Sequence, residues 1–162
     1  MNILRKKRYD VMKEMIEDIP FLLESLRGYD DATLLMSVAL FKTDVDLFRF
    51  LLSFDQDLNI VNEDGLNIVR YIVIGDVNVV VEKLDVLTTK TTNILFKSLI
   101  NRLDKYGQSP LHRAAELNNH KTIIYLIENE ANLNIRDNKH RLPEEHEDCN
   151  EETKLIFQRY RK

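Results

Sequence analysis

An all-α solenoid of stacked helix-turn-helix units with helical N- and C-terminal caps is the fold that this sequence of 162 residues predicts. Two observations carry the prediction. Blocks of matching design open at Asp104 and at Asp137, 33 residues apart, and a period near that length belongs to stacked helical hairpins. The composition agrees: 44% hydrophobic and 31% charged residues, with only 4 Gly and 3 Pro, describe a helix-rich chain with a core and not a disordered one. A chain of this size forms a single domain without disulfide or metal staples.

The clearest unit reads Asp104-Lys105-Tyr106-Gly107-Gln108-Ser109-Pro110-Leu111-His112-Arg113-Ala114-Ala115, then a polar Asn118-Asn119 turn, then Thr122 to Ile127, and closes on Ala131-Asn132-Leu133-Asn134. Gly107 supplies the positive φ that a tight turn demands. Ser109 caps a helix whose first position is Pro110, where a missing N–H is harmless. Ala114 and Ala115 are small enough for neighbouring hairpins to approach closely, while Ile123, Leu126 and Ile127 recur at helical spacing for burial. This block resembles the ankyrin repeat, matching its D-x-x-G-x-[TS]-P-L-H-x-A-A opening and its A-N-L-N close. The resemblance implies a structural role for His112, bonding across neighbouring turns.

In the same register, residues 29–61 look like a degenerate copy: Ala39 stands where Ala114 does, Phe48 and Leu52 where Ile123 and Ile127 do, and Asn59 where Asn134 does. Residues 62–103 hold another, with Gly65 at the turn, a first helix over Ile68 to Ile74, Gly75-Asp76 between helices and a second helix over Val77 to Leu84. Its end departs from the pattern through Thr88 to Thr92 and a segment from Asn93 to Leu103 with helical spacing. The β-branched run Val77-Val79-Val80-Val81 is also compatible with a strand. Residues 104–136 form the clearest repeat. The ends read as caps, which a solenoid needs because its terminal units expose a sticky face. Residues 1–28 give two amphipathic helices broken at Pro20, with Tyr9, Met12, Met15, Ile16, Phe21, Leu22 and Leu26 on their apolar sides. In residues 137–162, His140 replaces the turn glycine, Pro143 keeps its place, acids from Glu144 to Asp148 stand in for the usual apolar helix, and Leu155, Ile156 and Phe157 close the stack.

Chemistry finds little to work with. The sequence holds no P-loop, no G-x-G-x-x-G, no G-x-S-x-G and no H-E-x-x-H, so no catalytic residue and no cofactor are assigned. His140, His146 and Cys149 lie close in sequence, yet four ligands at zinc-finger spacing are missing, and no metal is expected. The run Glu144, Glu145, Glu147, Asp148, Glu151 and Glu152 is a solvated face, because paired acids work only where burial splits their pKa values. Cys149 is the single cysteine, which excludes an intramolecular disulfide and suits a reducing cytosol or nucleus. A net charge of -4 gives no reason to expect nucleic-acid binding, and the cluster Arg5 to Arg8 reads as a solvated helix face or an import signal. No run approaches the roughly 18 apolar residues a membrane span needs, and a standard signal peptide is not expected.

A binding protein is what remains. The resemblance implies a partner protein held by the turn tips and first-helix surface, here Asp30, Asp31, Thr33, Phe41 and Lys42, then Glu63, Asp64, Leu66 and Ile74, then Lys105, Tyr106, Gln108, Glu116 and Leu117. Exposed Phe41, Leu66, Tyr106 and Leu117 ask for a cover, although degenerate repeats also repack and bury such side chains. Asparagines placed as Asn59 and Asn134 are hydroxylated in ankyrin repeats when a leucine stands eight residues upstream, as Leu51 and Leu126 do; satisfying turn hydrogen bonds is the simpler role. The chain also resembles short viral ankyrin proteins similar to inhibitors of NF-κB, which implies a regulatory or inhibitory binder of a Rel-type transcription factor in the host cytoplasm or nucleus. It carries no D-S-G-x-x-S motif, so inhibition of that kind would be constitutive. A cellular adaptor, such as a proteasome-assembly or cyclin-dependent-kinase-binding protein, is the alternative.

Overall fold

The computed structural model describes residues 10, 11, 14–16, 18, 25, 27, 28, 30–40 and 45–161. Among these, regular structure is helical: α1 (Leu34–Leu40), α2 (Val45–Leu52), α3 (Ile68–Ile74), α4 (Val80–Thr88), α5 (Asn93–Asn101), α6 (Pro110–Glu116), α7 (His120–Glu128), a 3-10 turn at Pro143–Glu145 and α8 (Glu151–Tyr160). Polar caps start most of them. Thr33 Oγ1 accepts from the Met36 N–H at 3.1 Å, and the side-chain oxygens of Asn67, Thr92, Asn119 and Asn150 do the same for α3, α5, α7 and α8. The first helices form one layer, α1 on α3, α3 on α6 and α6 on the 3-10 turn. The second helices form the other, α2 on α4, α4 on α7 and α7 on α8. Between the layers lie Phe48, Leu51, Ile68, Ile72, Leu84, Leu87, Leu111, Ala114, Ala115, Ile123, Leu126 and Phe157, all buried. Burying each large apolar side chain stabilises the stack by roughly 1.5–3 kcal/mol.

Four turns repeat one geometry. Their first residues, Gly28, Asn62, Asp104 and Asp137, each donate a backbone N–H four residues ahead, to Ala32, Leu66, Gln108 and Arg141, at 2.8–3.0 Å. Their fourth residues, Asp31, Gly65, Gly107 and His140, all have positive φ, at 62°, 79°, 73° and 60°. His140 does replace the turn glycine. Asp31 does so in the first unit, which aligns Thr33 with Ser109 and therefore Ala39 with Ala115, not with Ala114. The side-chain oxygen of Asn62, Asp104 and Asp137 accepts two backbone N–H groups from within its own turn, at 2.8–3.0 Å. Neighbouring turns are then linked by the same backbone bond at each step: Glu63 N–H to Asp30 O at 3.2 Å, Lys105 N–H to Asp64 O at 2.9 Å and Asn138 N–H to Tyr106 O at 2.9 Å.

The second unit departs from the period, since the turns start 34, 42 and 33 residues apart. Its second helix begins at Val80 and not at Val77, because Asp76 Oδ1 accepts from the Asn78 N–H at 3.1 Å and holds residues 76–79 in a turn. The valine run is helical from there, with no strand. The surplus length forms α5, which packs on α3, α4 and α6 and so stacks between its neighbours. Phe96, Leu99 and Ile100 are its buried side, Asn67 Nδ2 donates to Leu99 O at 2.7 Å, and Asn101 Oδ1 accepts from the Asn132 N–H at 2.7 Å.

At the front, the apolar cap positions Tyr9, Met12, Phe21, Leu22 and Leu26, and Pro20 itself, lie outside the described residues; Ile16 is buried and Met15 exposed. At the back, the acidic segment makes only the 3-10 turn, and Ile156 and Phe157 are buried. Leu155 was expected to close the stack but points outward, 60% exposed. The third turn is the tightest test of the scheme. A Cβ at Gly107 would stand 2.5 Å from Asn138 Oδ1 and 3.0 Å from the Asn138 nitrogen, at a φ of +73°. Gly107→Ala is therefore expected to destabilise the protein by about 1–3 kcal/mol in urea unfolding.

Candidate protein-binding face

The face is built on the turns and on one buried charge network behind them. Arg70 of α3 occupies the place that His112 has in α6, and both reach into the following unit. Arg70 donates to Ser109 O at 3.0 Å, to Asp104 Oδ2 at 3.1 Å and to Gln108 Oε1 at 2.9 Å. His112 Nε2 meets Arg141 O at 3.3 Å while its Nδ1 accepts from the Ser109 N–H at 3.1 Å, so the ring proton belongs on Nε2. That is the cross-turn role the resemblance implied. Burial pulls the Arg70 guanidinium down to about 10, against the Asp104 carboxylate, and burial likewise pushes the His112 imidazole down. Both stay in the structural state at neutral pH: Arg70 charged, His112 neutral. Arg70→Ala leaves the buried Asp104 carboxylate uncompensated, and a loss of about 3 kcal/mol in unfolding free energy is expected.

Above this network lies a cleft of about 270 Å³ between the second and third units, lined by Asp64, Leu66, Ile74, Tyr106, Gln108, Arg113 and Glu116, with the buried Arg70 and Asp104 at its base. Tyr106 is 57% exposed and Leu117, just beyond, 44%. Lys105 forms an ion pair with Asp64 across the turns, and its Nζ stands 5.1 Å from the Tyr106 ring centroid. Arg113 pairs with Glu116 at 2.7 Å. The rim is thus charged and the middle apolar or aromatic, the arrangement of a surface that sheds water when a partner covers it.

The remaining candidates fall unevenly. Asp31 and Glu63 are exposed. Asp30 turns inward, its Oδ2 accepting from Asn62 Nδ2 at 3.0 Å and from the Tyr71 hydroxyl. The Tyr71 bond holds the Asp30 carboxyl below its usual value despite burial, and burial with that carboxylate pushes the Tyr71 hydroxyl up. Thr33, which the sequence places on the binding face, is instead 6% exposed and spends its hydroxyl on capping α1, so it offers a partner little. Phe41 and Lys42 lie outside the described residues. Asn59 and Asn134 have exposed side chains, and their backbone N–H groups donate to Asp57 and Asn132 within their own turns.

Three groups the sequence did not combine also converge. One ligand atom each from Glu116, His146 and Asp148 lie within 4.8 Å of one another, brought together only because the last loop folds back over the end of α6. A larger hollow of about 710 Å³ opens between α4 and α7, lined by Val77, Val81, His120, Ile124 and Tyr125 among others. Cys149 is buried with its thiol on Pro143 O, and burial pushes its pKa up, which disfavours the thiolate. No helix among the described residues is long and apolar enough to cross a membrane.

Stacked helical hairpins with a projecting row of hydrogen-bonded turns define a helical-repeat scaffold. The chain belongs to the ankyrin-repeat family: a family model for ankyrin repeats in three copies matches residues 3–137. Such repeats generally mediate protein–protein interaction and are typically non-enzymatic. No curated protein matches the chain.

Acid should loosen this face from its C-terminal end. Burial raises the Asp137 carboxyl, but bonds from the Arg141 N–H and guanidinium and the Lys139 N–H outweigh it and hold the pKa at about 2, below the usual 3.8. A depressed carboxylate contributes stability above the unfolded pKa and loses it as pH falls through the folded one, here about 2 kcal/mol lost between about pH 4 and pH 2. Asp137→Asn, which keeps an Oδ1 acceptor as Asn62 does, is expected to flatten the stability–pH curve in that window.

Proposed function

We propose that this ankyrin-repeat protein is a regulatory or inhibitory binder that grips a partner protein with its turn row and first-helix face. One observation carries the reading. Asp64, Leu66, Ile74, Tyr106, Gln108 and Glu116, far apart in sequence, line a single cleft between adjacent units. Tyr106 in its lining is a large side chain left in water, where a partner would gain from covering it. A binder of this kind acts by occupying a surface and needs no nucleophile, metal or cofactor. A Rel-type transcription factor dimer, met in the cytoplasm or nucleus, is the first partner to test. The wider identity proposed with it, a viral protein similar to inhibitors of NF-κB, rests on the short length and eroded repeats of the chain.

The test uses the full chain, immobilised, against a Rel-type dimer at micromolar concentration, with Tyr106→Ala and Leu66→Ser alongside. Capture weakened about tenfold by Tyr106→Ala is expected, with unfolding shifted by less than about 0.5 kcal/mol for this exposed position. Absence of capture removes the Rel-type partner. An unbiased pull-down with the same variants then decides the broader reading, which fails if every captured protein is held equally by wild type and variants. Capture of a cell-cycle kinase or of proteasome subunits that depends on Tyr106 would select the adaptor alternative.

A further inference from the structure

The turn row is electrically divided along its length. Its first two tips carry Asp30, Asp31, Glu63 and Asp64, and its last two carry Lys105 and Lys139. Within the acidic half, Asp31 stands 3.7 Å from Arg27, with 55% of its side chain still exposed. Asp30 is turned inward, and Asp64 is paired with Lys105 at the boundary. Glu63 and Lys139 are exposed, and among the described residues neither makes a salt bridge. Other charges near the row cancel locally: Arg113 with Glu116 at 2.7 Å, Arg136 with Glu145 at 3.1 Å and Arg141 with Asp137 at 2.8 Å. His146 and Asp148 lie 3.5 Å apart beyond the last first-helix position, and His140 sits at the fourth tip.

Scale decides whether a partner feels this division. Helices packed side by side are about 8–10 Å apart, so one unit is about as wide as the Debye length of about 10 Å at 0.1 M salt. Asp64 and Lys105 neutralise each other at the boundary, whereas Glu63 and Lys139, on the second and fourth turns, are two units apart and act as separate sites. An extended chain rises about 3.3 Å per residue, so about three of its residues span one unit and about nine run from the first tip to the fourth. The cleft holding Leu66, Ile74 and Tyr106 falls between the two halves.

We infer that the turn row docks an extended polypeptide segment of segregated charge, with basic residues against Asp31 and Glu63, an apolar side chain in the central cleft, and acidic residues against Lys139. The inference rests on the binding face proposed above and adds the chemistry of its ligand. Charge at the rim selects the partner and speeds its encounter, while the cleft retains it.

A display library of random peptides about twelve residues long, selected on the full chain at low salt, tests it. Enriched peptides are expected to carry positive charge at one end, negative charge at the other and an apolar residue between. The charge-exchanged double variant, Glu63→Lys with Lys139→Glu, should bind those peptides about tenfold more weakly, a gap that closes at high salt. Enrichment of evenly mixed charges, no enrichment, or equal binding by the double variant overturns the inference. If Tyr106→Ala and Leu66→Ser abolish peptide binding while the charge exchange leaves it unchanged, the charge proposal falls and the face stands. If neither set of substitutions matters, both fall.

Discussion

The backbone link between successive turns is the constraint on which the rest of the molecule depends. Each link needs a turn whose second residue presents its N–H to the preceding unit and whose third presents its carbonyl to the next, and this goes with a left-handed fourth residue every time. Once that geometry is set, the first helices start at fixed positions and their small or apolar faces meet. The second helices follow, and the core closes between two layers. A stack of this kind has only nearest-neighbour interactions, so a fault in one turn weakens its two interfaces and leaves distant ones intact.

The turns also show why some of the fold was legible in the sequence and some was not. Gly107, Ser109-Pro110 and the alanine pair each leave one conformation favoured, and the third unit can be read residue by residue. The first turn hides the same geometry behind Asp31, a residue that tolerates positive φ without announcing it, and the alignment of Ala39 slipped by one position as a result. Arg70 in the place of His112 was invisible for a similar reason. Its role appears only when Asp104, Gln108 and the Ser109 carbonyl, more than thirty positions away, converge on its guanidinium. The candidate binding face is legible in the sequence as a set of positions but not as a cleft, since burial of Thr33 and inward rotation of Asp30 depend on a cap and on Tyr71.

The insertion in the second unit illustrates how a repeat absorbs extra length. A loop of the same length would leave backbone groups to be satisfied individually at a surface between two units. Folding the surplus into α5, capped by Thr92, satisfies most of them internally and supplies Phe96, Leu99 and Ile100 to the core. Asn101 and Arg102 then tie its end to the loops that close the units on either side, through Asn132 and Asn59. The helix makes the stack longer in sequence without opening a gap in it.

The side chains of Glu63, Tyr106 and Lys139 make none of the hydrogen bonds and ion pairs that join neighbouring turns. Scaffold and specificity are therefore written in different letters of the same segment. On the binding face proposed above, mutation at those tips would change what is recognised while the stack beneath is spared, so a lineage following a changing target would rewrite its recognition code in small steps without passing through an unfolded intermediate.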